Sequence, residues 1–335
     1  MSLTTTRHIG DHELEITELA DGNRHLRVSS EVGAYVHVAE IDTAYDDRTI
    51  EAIISAKGLA YLCDEIGRDE DPFYVRRHLQ LTVMSHVGTQ SLRGKRMLDF
   101  GCGAGASTVA LAQLLPDIEL VGIELEQRNL DVAQARLDFY GIENAQLLRS
   151  PSGDSMPEGI GMFDAIMLPA VYEHLLPEER TSLLPMIWSV LKPGGYLFLD
   201  ETPWRWFPIE THTTGLPLLN YMPKSLALHY ARLSGRINPS TNWKTLLREG
   251  VRGGTASVIT SQLGSDAQLL SPQHEGIEDY VELWREGYLG GPNNTRSKRL
   301  VYRSARLMHN LFGISVVPYL SLAWQKIEIR AGSCR

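Results

Sequence analysis

From Arg96 to Leu199, short apolar runs alternate with stretches of helical periodicity, and this alternation constrains the fold more than any other feature of the chain. Met97-Leu98-Asp99-Phe100 reads as a strand that runs into a glycine-rich turn, followed by a helix through Val109 to Leu115. Leu120-Val121-Gly122-Ile123 is a buried-looking strand, followed by a helix from Arg128 to Tyr140 that Gly141 ends. Ala145 to Leu148 and Phe163 to Leu168 supply a third and a fourth strand. A helix through Leu183 to Leu191 stops at Lys192-Pro193-Gly194-Gly195, and Tyr196 to Leu199 is a fifth strand. Strands separated by helices pair in parallel, because the crossover helix must return the chain to the same end of the sheet. The expected architecture is α/β, a doubly wound, mostly parallel sheet of Rossmann-like topology. Its ligand would lie at the carboxyl ends of the strands.

The flanks read differently. His12 to His37 alternate in the manner of a hairpin, with Leu14, Ile16, Leu26 and Val28 around a turn at Asp21-Gly22-Asn23. Asp46 or Asp47 caps a helix carrying Ile50, Ile53, Ile54, Leu59 and Leu62. A second helix begins near Asp71-Pro72 with Phe73, Val75, Leu79 and Val83. Between Pro203 and Leu311 the strand–helix rhythm breaks into a segment rich in Gly, Pro and aromatics, with helices near Lys224–Ser234 and Ile277–Arg285. It holds Trp204, Trp206, Trp243 and Trp284. Ile314 to Leu320 and Ala323 to Ile329 read as a closing pair of strands, which brings the sheet to seven. Three parts are therefore expected: an extension at 1–92, the α/β domain at 93–202 plus 311–335, and a substrate-recognition or lid insertion at 203–310, between strands five and six.

Composition narrows the function. With 43% hydrophobic and 22% charged residues, the chain of 335 residues builds a sizeable core. A net charge of −9 with no Lys/Arg block argues against nucleic acid or an anionic membrane as main partner. No apolar run reaches the roughly 18–20 residues of a membrane span, and the polar, acidic start lacks the layout of a signal peptide. Cys63, Cys102 and Cys334 are too scattered for a disulfide framework or a zinc cluster. The expectation is a cytoplasmic protein with a small-molecule substrate, working as a monomer or a homodimer.

The turn Asp99-Phe100-Gly101-Cys102-Gly103-Ala104-Gly105 lies between a strand and a helix, where backbone N–H groups approach a ligand at the positive helix end. Glu124 ends the next strand, placed to accept hydrogen bonds from both hydroxyls of a ribose. Gly101, Gly103 and Ala106 also satisfy a dinucleotide fingerprint, so a nicotinamide-dependent oxidoreductase stands as a rival. A non-catalytic nucleoside-binding scaffold is a third reading. Asp99 separates the first two, since a carboxylate there would repel a pyrophosphate but suits a cationic amine or organises the loop.

Taken together, the Asp99–Gly105 loop, Glu124, the Phe163-Asp164 strand and the Leu191–Gly195 turn resemble the class I S-adenosylmethionine-dependent methyltransferases of small-molecule type. The resemblance implies S-adenosyl-L-methionine as cofactor. Gly101, Gly103 and Gly105 would hold its methionine part near Asp99, Glu124 the ribose, and Leu125 the adenine face. Ser152, Gly153 or Asp154 would meet the adenine edge, and Leu168 to Ala170 would border the methyl group. Tyr74, Arg76 and Arg77 would cover the cofactor or form a solvated helix face.

Methyl transfer from a sulfonium is an in-line displacement, in which the protein aligns the reactants and a hydroxyl acceptor needs a general base. His174, in Tyr172-Glu173-His174, is the first candidate for that base; its alternative is a histidine that orders the loop. Glu173 orients it or touches the cofactor indirectly. Glu201, after the fifth strand, acts as base or binds a polar substrate, or is a solvated carboxylate. His212 lies in Trp206-Phe207-Pro208-Ile209-Glu210-Thr211-His212, where rings interleaved with polar groups suit a hydroxylated, sugar- or natural-product-like acceptor. That stretch resembles a segment of bacterial methyltransferases of sugar and glycan biosynthesis. O-methylation is expected, with C- or N-methylation of a biosynthetic intermediate as the alternative. His174, Glu201 and His212 have no metal-ligand spacing, so no metal is expected. Cys102 is read as a small residue that fits the loop.

Overall fold

The computed structural model describes residues 4–9, 11–32, 35–153, 155–292 and 294–328; Asp154, Ile329 and Cys334 of the sequence reading lie outside them. The chain opens with strands β1 (Thr4–Ile9), β2 (His12–Glu18), β3 (Arg24–Val32) and β4 (Tyr35–Thr43), paired antiparallel in sequence order. The expected hairpin is the β2–β3 pair, with Leu14 opposite Val28 and Ile16 opposite Leu26. These four side chains are buried against α1 (Asp47–Lys57) and α2 (Leu62–Glu70). Asp46 caps α1 by accepting from the Thr49 N–H at 2.8 Å. The helix expected to run on to Leu62 breaks at Gly58, whose φ of 81° ends α1 before the apolar periodicity resumes in α2. The second expected helix is α3 (Val75–His86), which starts beyond Pro72 and leaves Phe73 exposed.

The alternating segment then gives β5 (Arg96–Phe100), α4 (Ala106–Leu114), β6 (Glu119–Glu124), α5 (Gln127–Tyr140), β7 (Ala145–Arg149), β8 (Phe163–Pro169), α6 (Pro177–Ser189) and β9 (Leu191–Pro203). After it come α7 (Lys224–Leu233), α8 (Trp243–Arg248), α9 (Ala256–Leu263), β10 (Ala267–Leu270), α10 (Tyr280–Leu289), α11 (Arg296–Phe312) and β11 (Tyr319–Lys326). The sheet order is β10-β11-β9-β8-β5-β6-β7. The strands from β9 to β7 are parallel, and β11 alone is reversed, pairing antiparallel with both β9 and β10.

Seven strands and a mostly parallel sheet were expected, but the closing pair differs. Residues 314 to 318 form no strand, and the edge partner of β11 is β10, which comes from inside the 203–310 insertion. At four half-exposed residues, β10 is too short to display an alternation.

Both faces of the parallel sheet are covered, as a strand-by-strand alternation shows. Leu98, Ile166, Leu168 and Leu199 enter one core, and Met97, Ala165, Met167 and Phe198 the other. The chain leaves β5 toward β6 and β7 on one side and returns to β8 and β9 on the other. That topological switch point opens a crevice at the carboxyl ends of β5 and β8.

Candidate functional site: a cavity at the switch point

The loop after β5 is tied to the end of β6. The N–H groups of Gly101 and Cys102 donate to the Ile123 carbonyl at 2.9 and 3.0 Å. The Gly103 N–H donates to Glu124 Oε2 at 3.1 Å, and Glu124 Oε1 accepts from the Glu126 N–H at 3.0 Å. Gly103 has φ +55° and nothing within 4 Å of where a Cβ would stand, so its face is open. Gly105 is the opposite case, since a Cβ there would lie 2.6 Å from the Ala133 Cβ of α5. Asp99 is fully buried; its Oδ2 accepts from Ser107 Oγ and Thr108 Oγ1, each at 2.7 Å, which fastens the start of α4. Its Oδ1 has no partner among the described residues, and burial pushes the carboxyl up to about 6.

Beside this loop is a cavity of about 240 Å³. Its floor is residues 101–104 with Ala106 and Ser107, and its far wall is Pro169, Ala170, Asp200 and Glu201. The N-terminal extension forms the roof through Lys57, Glu65, Arg68, Val75, His78 and Leu79. Arg136 of α5, fully buried, locks roof to floor. It donates to the Ala104 carbonyl at 2.7 Å and pairs with Glu65 and Asp69 of α2 at 3.5 and 3.4 Å.

Glu201 reaches the cavity because β9 bulges. Leu320 opposes Thr202 and Leu322 opposes Leu199, so Asp200 and Glu201 together face Ser321. Glu201 takes φ +57°, a left-handed conformation that turns its side chain off the alternation of the strand. Asp200 is pinned, with Oδ1 accepting from Thr82 Oγ1 at 2.7 Å and Ser321 Oγ at 2.5 Å. Glu201 Oε1 instead lies 3.8 Å from His78 Nε2 and accepts from the Tyr288 hydroxyl at 3.4 Å. Burial holds this carboxyl above the usual carboxylate range, and the charge of His78 works in the opposite direction.

Not every residue named from the sequence meets the cavity. Leu168 is fully buried in the core, whereas its neighbours Pro169 and Ala170 line the wall. Leu125 is exposed, and Ser152 Oγ sits 2.6 Å from Ser155 Oγ in the turn that also carries Gly153. Of the α3 residues, Arg76 and Arg77 turn away to Gln113 and Glu286, at 3.1 and 3.0 Å, and Val75, His78 and Leu79 face the ligand space instead. Cys102 is buried and its thiol is pushed well above the ordinary range by burial, which suits a packing residue.

His174 and His212 come together, with ring centroids 5.2 Å apart, but neither lines this cavity. The polar stretch around His212 is wound about Glu210. That carboxylate accepts from the His212 N–H at 2.9 Å and the Thr213 N–H at 3.1 Å, and from Thr214 Oγ1 at 2.7 Å.

His78, Tyr288 and Arg136 were not found from the sequence. Arg136 left a trace, as an arginine between Ala135 and Leu137 on the buried side of α5. The meeting of His78 and Tyr288 at Glu201 joins α3, α10 and β9, far apart in the chain, and no local pattern carries it.

A family model described as a methyltransferase domain matches residues 98–197. The mitochondrial ubiquinone biosynthesis O-methyltransferase of Mus musculus is 30% identical over 128 residues, which is 38% of this chain and 34% of that protein. The ubiquinone biosynthesis O-methyltransferase of Acinetobacter baylyi is 27% identical over 118 residues, 35% of this chain and 47% of the relative. The chain thus spans between about a third and a half of the length of these relatives. Among solved structures, the plantazolicin methyltransferase BpumL in complex with SAH aligns over 84% of this chain and 95% of its own, at 14% identity and a TM-score of 0.43.

Proposed function

We propose that the protein is a class I S-adenosylmethionine-dependent methyltransferase, a reading supported by the methyltransferase-domain match at residues 98–197, and that it methylates a hydroxyl group of a small acceptor in the switch-point cavity. The observation that carries this reading is the cavity itself. It joins the open face of Gly103 on its floor to the carboxyl of the bulged Glu201 on its far wall.

The residues present fit the cofactor. Gly103 leaves room where any side chain would intrude, and Asp99 keeps an unpartnered carboxylate oxygen behind the loop. Lys57 and Arg68 bring positive charge to the roof, where a carboxylate end would be met. When bound, S-adenosylmethionine supplies an electrophilic methyl group on a cationic sulfur. Glu124, at the end of β6, is assigned to the ribose, and Leu125 with the turn of Ser152 and Gly153 to the adenine side.

Glu201 Oε2 takes the proton from the acceptor hydroxyl, while the Tyr288 hydroxyl and His78 hold Oε1 in place. Its raised pKa makes it a stronger base than an exposed carboxylate. Val75 and Leu79 in the roof exclude water from the reacting atoms. The relatives named for O-methylation support an oxygen acceptor, and the polar lining of the cavity supports a hydroxylated one.

The test is label transfer from methyl-labelled S-adenosylmethionine to a panel of small phenols, polyols, sugars, amines and carbon acids. A labelled product is expected with at least one hydroxylated acceptor. Transfer only to amines or carbon acids would replace the oxygen reading.

A further inference from the structure

Outside the cavity, past Tyr172, three ligand-type side chains converge. Glu173, His174 and His212 each bring one donor atom, and these atoms all lie within 4.8 Å of one another. The first two follow β8 and the third comes from the insertion, so the fold and not local spacing assembles them.

Glu173 is the unusual member. It is fully buried, and Oε2 accepts from Thr202 Oγ1 at 3.3 Å, but Oε1 has no hydrogen-bond partner among the described residues. That oxygen is 3.9 Å from His174 Nε2, too far for a hydrogen bond. The cations nearby do not satisfy it. Arg180 spends N–H groups on the carbonyls of Glu173, Leu175 and Gly253, and Arg248 pairs with Glu179. An orphaned carboxylate oxygen in the interior costs free energy unless a further partner arrives.

His174 is oriented as a ligating histidine is. Its Nδ1 lies 2.7 Å from the Arg248 carbonyl, so the Nδ1–H donates there and Nε2 carries a lone pair toward Glu173. The His212 ring is fixed from behind by Gly250, where any Cβ would stand 2.1 Å from its Cδ2. Donors on a tetrahedral ion with bonds of about 2.0–2.1 Å are separated by about 3.4 Å. The Glu173–His174 pair, at 3.9 Å, and the cluster as a whole, within 4.8 Å, must draw together to reach that.

We propose that Glu173, His174 and His212 bind one divalent transition-metal ion of the zinc type, with a fourth position open. Two imidazoles and one carboxylate favour such an ion over magnesium or calcium, which prefer oxygen ligands. The bound ion would clamp the insertion to the end of β8. A chain of ring contacts also links the site to the cavity wall. The His212 ring meets Tyr319 at 6.4 Å, and Tyr319 stacks at 5.5 Å on Tyr288, which reaches Glu201.

The full-length protein, stripped by chelator and dialysed, is titrated with Co²⁺ and followed by its visible d–d absorption, then displaced with Zn²⁺. One Co²⁺ per chain in a tetrahedral-type spectrum is expected, displaced by one equivalent of Zn²⁺. Glu173→Gln and His212→Gln should each weaken Co²⁺ binding by about a hundredfold or more while circular dichroism stays unchanged. His229→Gln, at an exposed position on α7, should bind as the parent does. Absence of the spectrum, or equal binding by folded Glu173→Gln and His212→Gln variants, overturns the proposal. Calorimetry with S-adenosylhomocysteine on the same samples reads the methyltransferase assignment separately, so failure of one leaves the other standing.

Discussion

Glu201 sits in a left-handed backbone conformation that few glutamates adopt, and the β9 bulge that imposes it also aims the carboxyl at the cavity. Glu201→Gln keeps the shape and the hydrogen bond from Tyr288 but removes the base. Turnover should fall by about 10²–10⁴ with little change in S-adenosylhomocysteine affinity; turnover equal to the parent's would remove Glu201 from the reaction. Gly105→Ala should destabilise the fold by about 1–3 kcal/mol, because φ is +89° and the new methyl would collide with Ala133 at 2.6 Å. Urea unfolding measures it.

Asp99 makes a prediction with a definite sign. Its folded-state pKa, about 6, lies above the ordinary carboxylate value, so the folded chain holds this proton more tightly than the unfolded one. The resulting stability is complete below the unfolded pKa and is lost as pH rises toward 6. The stability of the parent relative to Asp99→Asn should therefore fall as pH rises through that window, and a pH-independent difference would contradict it. At this scale the sequence was informative about placement, since Asp99, Gly103 and Glu124 fall in the strand–turn–helix and at the strand end where the apolar runs put them. It was silent where partners come from distant segments, as for His78 and Tyr288.

Elements were legible in proportion to their periodicity. The parallel strands and their helices were readable because both-face burial produces continuous apolar runs, and α1 was readable from its cap. Asp46→Ala should cost about 1 kcal/mol, seen as a lower midpoint in chemical unfolding, through loss of the bond to the Thr49 N–H. The β10 strand escaped because four half-exposed residues leave no pattern. The α11 helix escaped for a different reason. Leu300, Leu307, Leu311 and Phe312 are exposed while Ala305 is its one buried residue, so its apolar stripe does not report on a core. The β9 bulge has no local signature either, since it is set by the register with β11.

On the scale of the whole molecule, the N-terminal extension serves as the roof of the cavity. Ala104 of the glycine loop packs in the same cluster as Tyr45, Leu62 and Ile66, and Arg136 bonds the loop to α2. Arg136→Met should cost about 3–5 kcal/mol, because it leaves Glu65 and Asp69 buried without their cation. It should also weaken cofactor binding by loosening the loop.

Calorimetric titration of the full chain with S-adenosylhomocysteine, run beside an identical titration with NAD, probes the glycine-loop cavity most directly. One S-adenosylhomocysteine per chain, weakened about tenfold or more in Glu124→Ala, with no heat from NAD, is the predicted result. Heat from NAD with none from S-adenosylhomocysteine would contradict it.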